Sequence, residues 1–250
     1  MPISRPVDHS RRTLLGAAAA LLVAALVETR EAGAQTSSAQ EKMKIGIIGA
    51  GHIGGTLGAL WARAGHQVML SSRHPDQLNE LVARIGPLAQ AGTVEQAIAF
   101  GDAILIAVPY GALPQLGADH GKALRGKIVL DACNAMAKRD GAIADEVQQN
   151  GIGITSQKYL PQTRLVRAFN TLNFAVLERE ANRAAPRLAI PIAGDDTGAL
   201  EVATRLVDAA GFEAVNAGKL ADASRFQFGG PGFGQNGSAD ELRHKLSLAP

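Results

Sequence analysis

The hexapeptide Gly49-Ala50-Gly51-His52-Ile53-Gly54 sits between a short apolar run and a helical one. Glycines at this spacing suit a dinucleotide. The first permits a sharp turn out of a strand, the second lets backbone approach the pyrophosphate, and the third lets the following helix pack tightly on the sheet. Backbone N–H groups at the helix start then face the phosphates. The whole hexapeptide is therefore read as cofactor-binding, His52 through its backbone. A second cluster, Ser71-Ser72-Arg73, ends the next apolar run. An NAD site places Asp or Glu about 20 residues past the first glycine to bind the ribose 2′-hydroxyl. Here no acid occurs before Asp76. A carboxylate would repel a 2′-phosphate, whereas a guanidinium holds it with paired bonds and hydroxyls add more. The spacing therefore implies NADP(H) in preference to NAD(H).

These residues need a strand, a turn, a helix and a second strand to position them. Residues 43–48 (MKIGII) read as a buried parallel strand, 53–64 as a helix stopped by Gly65, and 67–70 as the next strand, together a βαβ unit. Further on, 75–85 reads as a helix beginning near His74. Residues 93–100 read as a short helix capped by Thr93, 103–108 as a strand ended by Val108-Pro109-Tyr110, and 127–131 as a strand running into Asn134. Past about residue 150 the pattern loosens. It resumes with strands at 164–168 and 188–193 and a helix over 197–210. The expectation is an α/β fold with a Rossmann-type doubly wound parallel sheet: an NADP-binding domain over 43–150 and a small C-terminal α/β extension over 151–250, either a lobe or a continuation of the same sheet. The long all-helical second half of many hydroxyacid and imine reductases is not seen. Residues 226–234 (FQFGGPGFG) read as an ordered surface loop before a last helix at 239–246.

Composition narrows the partners. A chain of 250 residues that is 46% hydrophobic can bury a core, and its net charge of +2, spread along the chain, does not suggest a nucleic-acid surface. Residues 1–34 read as a twin-arginine-type signal peptide. Ser10-Arg11-Arg12-Thr13-Leu14-Leu15 is followed by an apolar stretch to Val27 and by Ala32-Gly33-Ala34 before Gln35. That stretch is short for a membrane span of about 20 residues. A periplasmic location without stable membrane insertion after signal removal is expected, with cytoplasmic or membrane-anchored forms as alternatives. Cys133, the one cysteine, is read as packing. The histidines lack metal-ligand spacing, Asp195-Asp196 is read as a helix cap, and no metal site is expected.

The segment MKIGIIGAGHIGGTL, the Ser71-Ser72-Arg73 cluster, Val108-Pro109, residues 131–134, VRAFNT at 166–171 and PIAGDD at 191–196 together resemble the coenzyme F420-dependent NADP oxidoreductases, over about residues 43–225. The resemblance implies a Rossmann domain and hydride exchange between NADPH and a deazaflavin. The same superfamily holds the NADPH-binding domain of membrane ferric reductases, whose hydride goes to a flavin. It assigns Ser72 and Arg73 to the 2′-phosphate and Gly49 through Gly54 to the pyrophosphate. Val108, Pro109 and Asn134 would border the nicotinamide ribose, and Asn170 and Thr171 would be walls beside the ring. Two departures stand out: Ala50 and His52, where the family often has Thr or Asn, and the 226–234 segment.

Hydride transfer between stacked rings needs position more than covalent help, with donor and acceptor atoms about 3 to 3.5 Å apart. No Ser-Tyr-Lys pattern accompanies Tyr110 or Tyr159, so no catalytic acid is named, and a flavin-like or quinone-like acceptor suits the chain better than a ketone. The expected function is an NADPH-dependent oxidoreductase whose partner is a small-molecule electron acceptor, F420 or a flavin as co-substrate. The alternatives are a non-catalytic NADP(H)-binding module or redox-complex subunit, and a small imine or hydroxyacid reductase. Pairing of two chains as a homodimer stays open.

Overall fold

Isoleucine and glycine fill β1 (Lys44–Ile48), which buries four of its five residues, as a strand covered on both faces must. The computed structural model describes Met1 and residues 42–248. Apart from Met1, the segment read as an export signal lies outside the described residues.

From β1 the chain turns into α1 (His52–Arg63) and returns through β2 (Gln67–Ser71). The helix expected over 75–85 divides into a 3-10 turn, Pro75–Leu78, and α2 (Asn79–Ile85). Next come β3 (Ala89–Gly92), α3 (Val94–Phe100) and β4 (Ala103–Ile106). Thr93 caps α3 in a full capping box with Gln96. The strand expected to reach residue 108 stops at Ile106. Ala107 still donates to Ile48 O at 2.9 Å, and the chain then swings over the glycine turn. α4 (Leu113–Leu124), β5 (Ile128–Asp131), the short α5 (Ala137–Asp140), α6 (Ala142–Asn150), α7 (Ile152–Tyr159) and β6 (Arg164–Arg167) follow. α8 (Phe174–Glu180), β7 (Ala189–Gly194), α9 (Thr197–Ala209), β8 (Glu213–Asn216), a 3-10 segment Leu220–Phe226 and α10 (Ala239–Lys245) complete the described chain.

One eight-stranded sheet results, in the order β3-β2-β1-β4-β5-β6-β7-β8. Strands β3 to β6 are mutually parallel, β7 runs antiparallel to β6, and β8 parallels β7. The fold is the Rossmann-type doubly wound α/β architecture, and β6 to β8 extend the same sheet. Strand order reverses between β1 and β4, so the crevice beyond their carboxyl ends is where such a sheet receives ligands.

Side chains alternate onto two cores. On one face Ile45, Ile47, Leu105 and Val166 meet α1 and α9; on the other Ile104, Ile106 and Val129 meet α3, α4, α7 and α10. Trp61 of α1 is fully buried and donates its indole N–H to Leu206 O of α9 at 2.8 Å. That bond, between residues far apart in sequence, ties the glycine-turn helix to the C-terminal half of the chain.

Candidate active site

The three glycines of the turn play three different parts. Gly49 has φ +101°, a conformation L side chains rarely adopt, and a Cβ there would lie 2.5 Å from Ala107 O. A Cβ on Gly54 would lie 2.0 Å from Gly49 O, so α1 rests on the turn with no room for a methyl group. Gly51 is the opposite case: its Cβ would meet nothing within 4 Å. As N-cap of α1, Gly51 supplies no side-chain bond, and the first turn carries no acid. The leading N–H groups of α1 are thus left for an anion beside an open approach. His52 is exposed, and its ring stacks on Phe174 at the start of α8, with centroids 4.2 Å apart and planes within 12°. Its side chain therefore faces a ring of another helix while its N–H belongs to the turn.

At the end of β2 the three residues of the Ser-Ser-Arg cluster part company. Ser71 is fully buried and donates its hydroxyl to Ile47 O at 2.9 Å, fastening β2 to β1. Expected among the cofactor-binding residues, Ser71 instead keeps its side chain inside the sheet, because it is paired with β1 in a sheet covered on both faces. Ser72 is half-buried, its Oγ accepting from His74 N at 3.1 Å. Arg73 is exposed, and no described residue pairs with its guanidinium. The two residues that can face a 2′-phosphate are Ser72 and Arg73.

The far end of the crevice is held by a buried ion pair. Asp131 closes β5, Arg167 closes β6, the two are register partners, and both side chains are fully buried. Asp131 also accepts from Cys133 N at 2.9 Å, and Arg167 donates to Cys133 O at 2.5 Å. The pair thus clamps the 131–134 segment and delivers Asn134 to the cavity beyond it. Asn134 donates to Asn170 O at 2.6 Å, while Asn170 donates to Phe226 O at 3.0 Å and more weakly to Asn134 Oδ1 at 3.4 Å. Phe169, just before, sits at φ +61°, a strained position for a bulky residue. Edge contacts with Trp61 and Phe212 lock it there.

A cavity of about 620 Å³ opens on these residues. Ile53 of the glycine turn forms one wall, Asn134, Met136 and Arg139 a second, Asn170, Thr171 and Phe174 a third, and Phe233 with Asn236 the last. Another cavity of about 630 Å³, lined by His52, lies between α1, α2 and α8 and shares Phe174 with this one. Val108 and Pro109 line neither. They stand beside the turn, where a Cβ on Gly49 would come within 2.9 Å of a Val108 methyl.

Proton chemistry is sparse here. Tyr110 is buried and bonded to Ser156 Oγ at 3.0 Å, and burial with the nearby Asp131 charge raises its pKa far from neutrality. Tyr159 donates to Glu146 at 2.6 Å. Burial and the adjacent Asp131 likewise push the Cys133 thiol well up, which keeps it protonated and unreactive. Among residues lining the 620 Å³ cavity, Arg139 is the one ionisable side chain, and it is engaged with Asp140 and with Asn134 O at 2.6 Å. Asp196 caps α9 through Ala199 N at 2.8 Å, whereas Asp195 instead accepts from Leu220 N at 3.1 Å.

The structure gathers Asn134, Asn170, Thr171 and Ile53 around one cavity, with Gly51 and His52 beside it. Reading the sequence missed Phe174, Met136, Arg139, Phe233 and the Asp131–Arg167 pair. An arginine that ends one short strand, Arg164–Arg167, and an aspartate that ends another, Ile128–Asp131, were the signal for that pair. The 226–234 segment is less superficial than expected. Phe226 is fully buried, and Gly234 N donates to Thr171 O at 2.9 Å.

Comparison with known proteins finds one family and several similar chains. Residues 44–135 match the family described as NADP oxidoreductase, coenzyme F420-dependent. The metalloreductase STEAP3 of Rattus norvegicus is 30% identical over 190 residues, 74% of this chain and 36% of that protein, so the chain spans about a third of the length of this relative. A hypothetical protein of Sinorhizobium meliloti superposes with a TM-score of 0.66 and 26% identity, covering 79% of this chain and 96% of that one. A candidate F420-dependent NADP reductase of Arthrobacter sp. FB24 gives 0.62 and 24%, covering 73% and 87%.

Proposed function

Residues 44–135 place the chain in the coenzyme F420-dependent NADP oxidoreductase family, and from that premise we propose that it moves hydride between NADP(H) and a planar acceptor of the flavin or deazaflavin type. One observation carries the reading. Ile53, a residue of the phosphate-binding turn, is itself a wall of the 620 Å³ cavity, so a dinucleotide laid along the turn has its redox end inside a slot of aromatic and aliphatic side chains.

The residues fit NADP(H) in three places. The uncapped start of α1 with the open side of Gly51 accepts the pyrophosphate. Arg73 and Ser72 accept the 2′-phosphate. Asn134 and Thr171 border the nicotinamide end. When bound, the cofactor supplies the hydride. The chain orients the two rings and excludes water, through Ile53, Phe169, Leu172 and Phe174. Because the cavity lacks an acid–base side chain that titrates near neutrality, an acceptor able to exchange its proton with solvent suits it better than a ketone. STEAP3 is a metalloreductase, which makes a metal ion a further acceptor to set beside the flavin type.

Loss of NADPH absorbance in the presence of F420, FMN, FAD, a quinone or a ferric chelate tests the proposal. Turnover with F420 or a flavin is expected. Tight NADPH binding with no oxidation by any of them would leave a nucleotide-binding module instead. We further propose that the chain acts outside the cytoplasm. Replacing Arg11 and Arg12 with Lys should then retain it inside, and unchanged fractionation would refute export.

A further inference from the structure

Asn170 carries a carbonyl with nothing to accept from. The residue is 2% exposed and lines the 620 Å³ cavity. Its amide N–H₂ is committed to Phe226 O and Asn134 Oδ1, which fixes which end of the side chain is which. The other end, Oδ1, is closed off from solvent and has no hydrogen-bond partner. Asn134, by contrast, uses both ends of its amide on Asn170. Among the described residues that line this cavity, Asn170 Oδ1 is the one buried side-chain polar atom without a hydrogen-bond partner. A native chain keeps such an atom at a cost, most understandably where a bound molecule supplies the missing donor. The strained backbone of Phe169 that presents Asn170 to the cavity fits a site organised for binding.

The chemistry of the missing donor follows from the surroundings. A sugar or phosphate would bring several polar groups, each in need of a partner. Phe169, Leu172, Phe174 and Ile53 offer none in their side chains, and Asn134, Arg139 and Asn173 are already bonded within the protein. A planar ring whose edge carries an amide-type N–H supplies the donor that Asn170 Oδ1 lacks and lays its faces on those apolar side chains.

We propose that Asn170 Oδ1 is a binding atom for an amide-type N–H on the ring held in this cavity, and that it makes the site discriminate against rings that lack that N–H. The inference rests on the reading of the cavity as the redox end of the nucleotide site. Two groups carry this chemistry: the carboxamide of the nicotinamide and the imide N–H of a flavin or deazaflavin. A site built to accept such a hydrogen penalises a ligand without it, because its own oxygen then stays unpaired.

The test uses binding, on the full chain. Dissociation constants are measured for NADP⁺ against its 3-acetylpyridine analogue, whose methyl ketone lacks the amide hydrogens, and for a flavin against its N3-methyl derivative. Wild type, Asn170→Ala and Asn170→Gln are compared, with melting temperatures as the folding control. In wild type one of the two pairs should differ by about five- to tenfold, the effect of one unmade hydrogen bond. That difference should shrink to within about twofold in Asn170→Ala and persist in Asn170→Gln, which keeps both the amide N–H₂ and an acceptor oxygen. The pair that responds identifies the ring. No discrimination in wild type, or discrimination that survives in a folded Asn170→Ala, would overturn the assignment. Since no arm requires turnover, a chain that binds nucleotide but oxidises none would refute the reductase reading and leave this result standing.

Discussion

The two ends of the crevice are built in different ways. The phosphate end is made of backbone: a glycine turn and the start of α1 lie within Gly49–Gly54, and Ser72 and Arg73 follow the end of β2. The ring end is made of side chains from Ile53, Asn134, Arg139, Asn170, Phe174 and Phe233, which meet only once the sheet has formed. A backbone site tolerates little change of fold and recognises what dinucleotides share. A side-chain site can be rewritten residue by residue, so it is where members of one family can differ in acceptor.

Breaking the support of the ring end should produce the largest effect. Asp131→Ala leaves Arg167 buried without its partner and should cost about 3 to 5 kcal/mol. Chemical denaturation reads this as a lower midpoint at unchanged slope, and a loss below 1 kcal/mol would mean the pair is not the clamp described. The glycines of the phosphate end give a sharper contrast. Gly54→Ala places a methyl group against Gly49 O and should cost about 3 kcal/mol of stability. Gly51→Val meets no protein atom near its Cβ, so its melting temperature should hardly move while NADPH and NADH binding are both lost. Retained binding in a folded Gly51→Val would place the pyrophosphate elsewhere.

Smaller effects test the join between the two ends. Phe174→Ala removes the ring that stacks on His52 and lines the cavity. It should weaken NADPH and acceptor binding by about two- to tenfold with a modest change in melting temperature. Loss of one ligand alone would separate the two ends. The smallest effect concerns pH, far from the site. Bonds from Arg164 and then Ala199 N hold the Asp196 carboxylate down to about 2. A depressed carboxyl stabilises the fold above its ordinary value of 3.8 and loses that contribution as pH falls from there through about 2. Melting temperature across that window should therefore decline more steeply in wild type than in Asp196→Asn, and parallel curves would remove Asp196 from the balance.

The same contrast explains what could be read from the sequence. The glycine turn, β1, α1 and β2 are legible because each is a local pattern: period, glycine spacing and the absent acid all lie within thirty residues. Asp196 as a cap and Cys133 as packing were local questions too. The burial of Ser71 escaped because the pairing of β2 with β1, and the hydroxyl's bond to Ile47 O, decide it. β3, with its polar AQAG sequence, carried no strand pattern at all and exists through its pairing with β2. Phe174 and Phe233 could not be assigned because α8 and the 226–234 segment reach the cavity only through tertiary packing. Asn170 and Thr171 were placed by family resemblance, and the role of Asn170 Oδ1 emerges only from counting its hydrogen bonds.

The central claim is that Arg73, with Ser72, grips a 2′-phosphate, and calorimetric titration with NADPH and NADH tests it most directly. Wild type should prefer NADPH strongly, and Arg73→Ala should lose about 1.5 to 3 kcal/mol of NADPH binding while leaving NADH nearly unchanged. Equal affinity of the wild type for both nucleotides, or equal losses for both in Arg73→Ala, would contradict it.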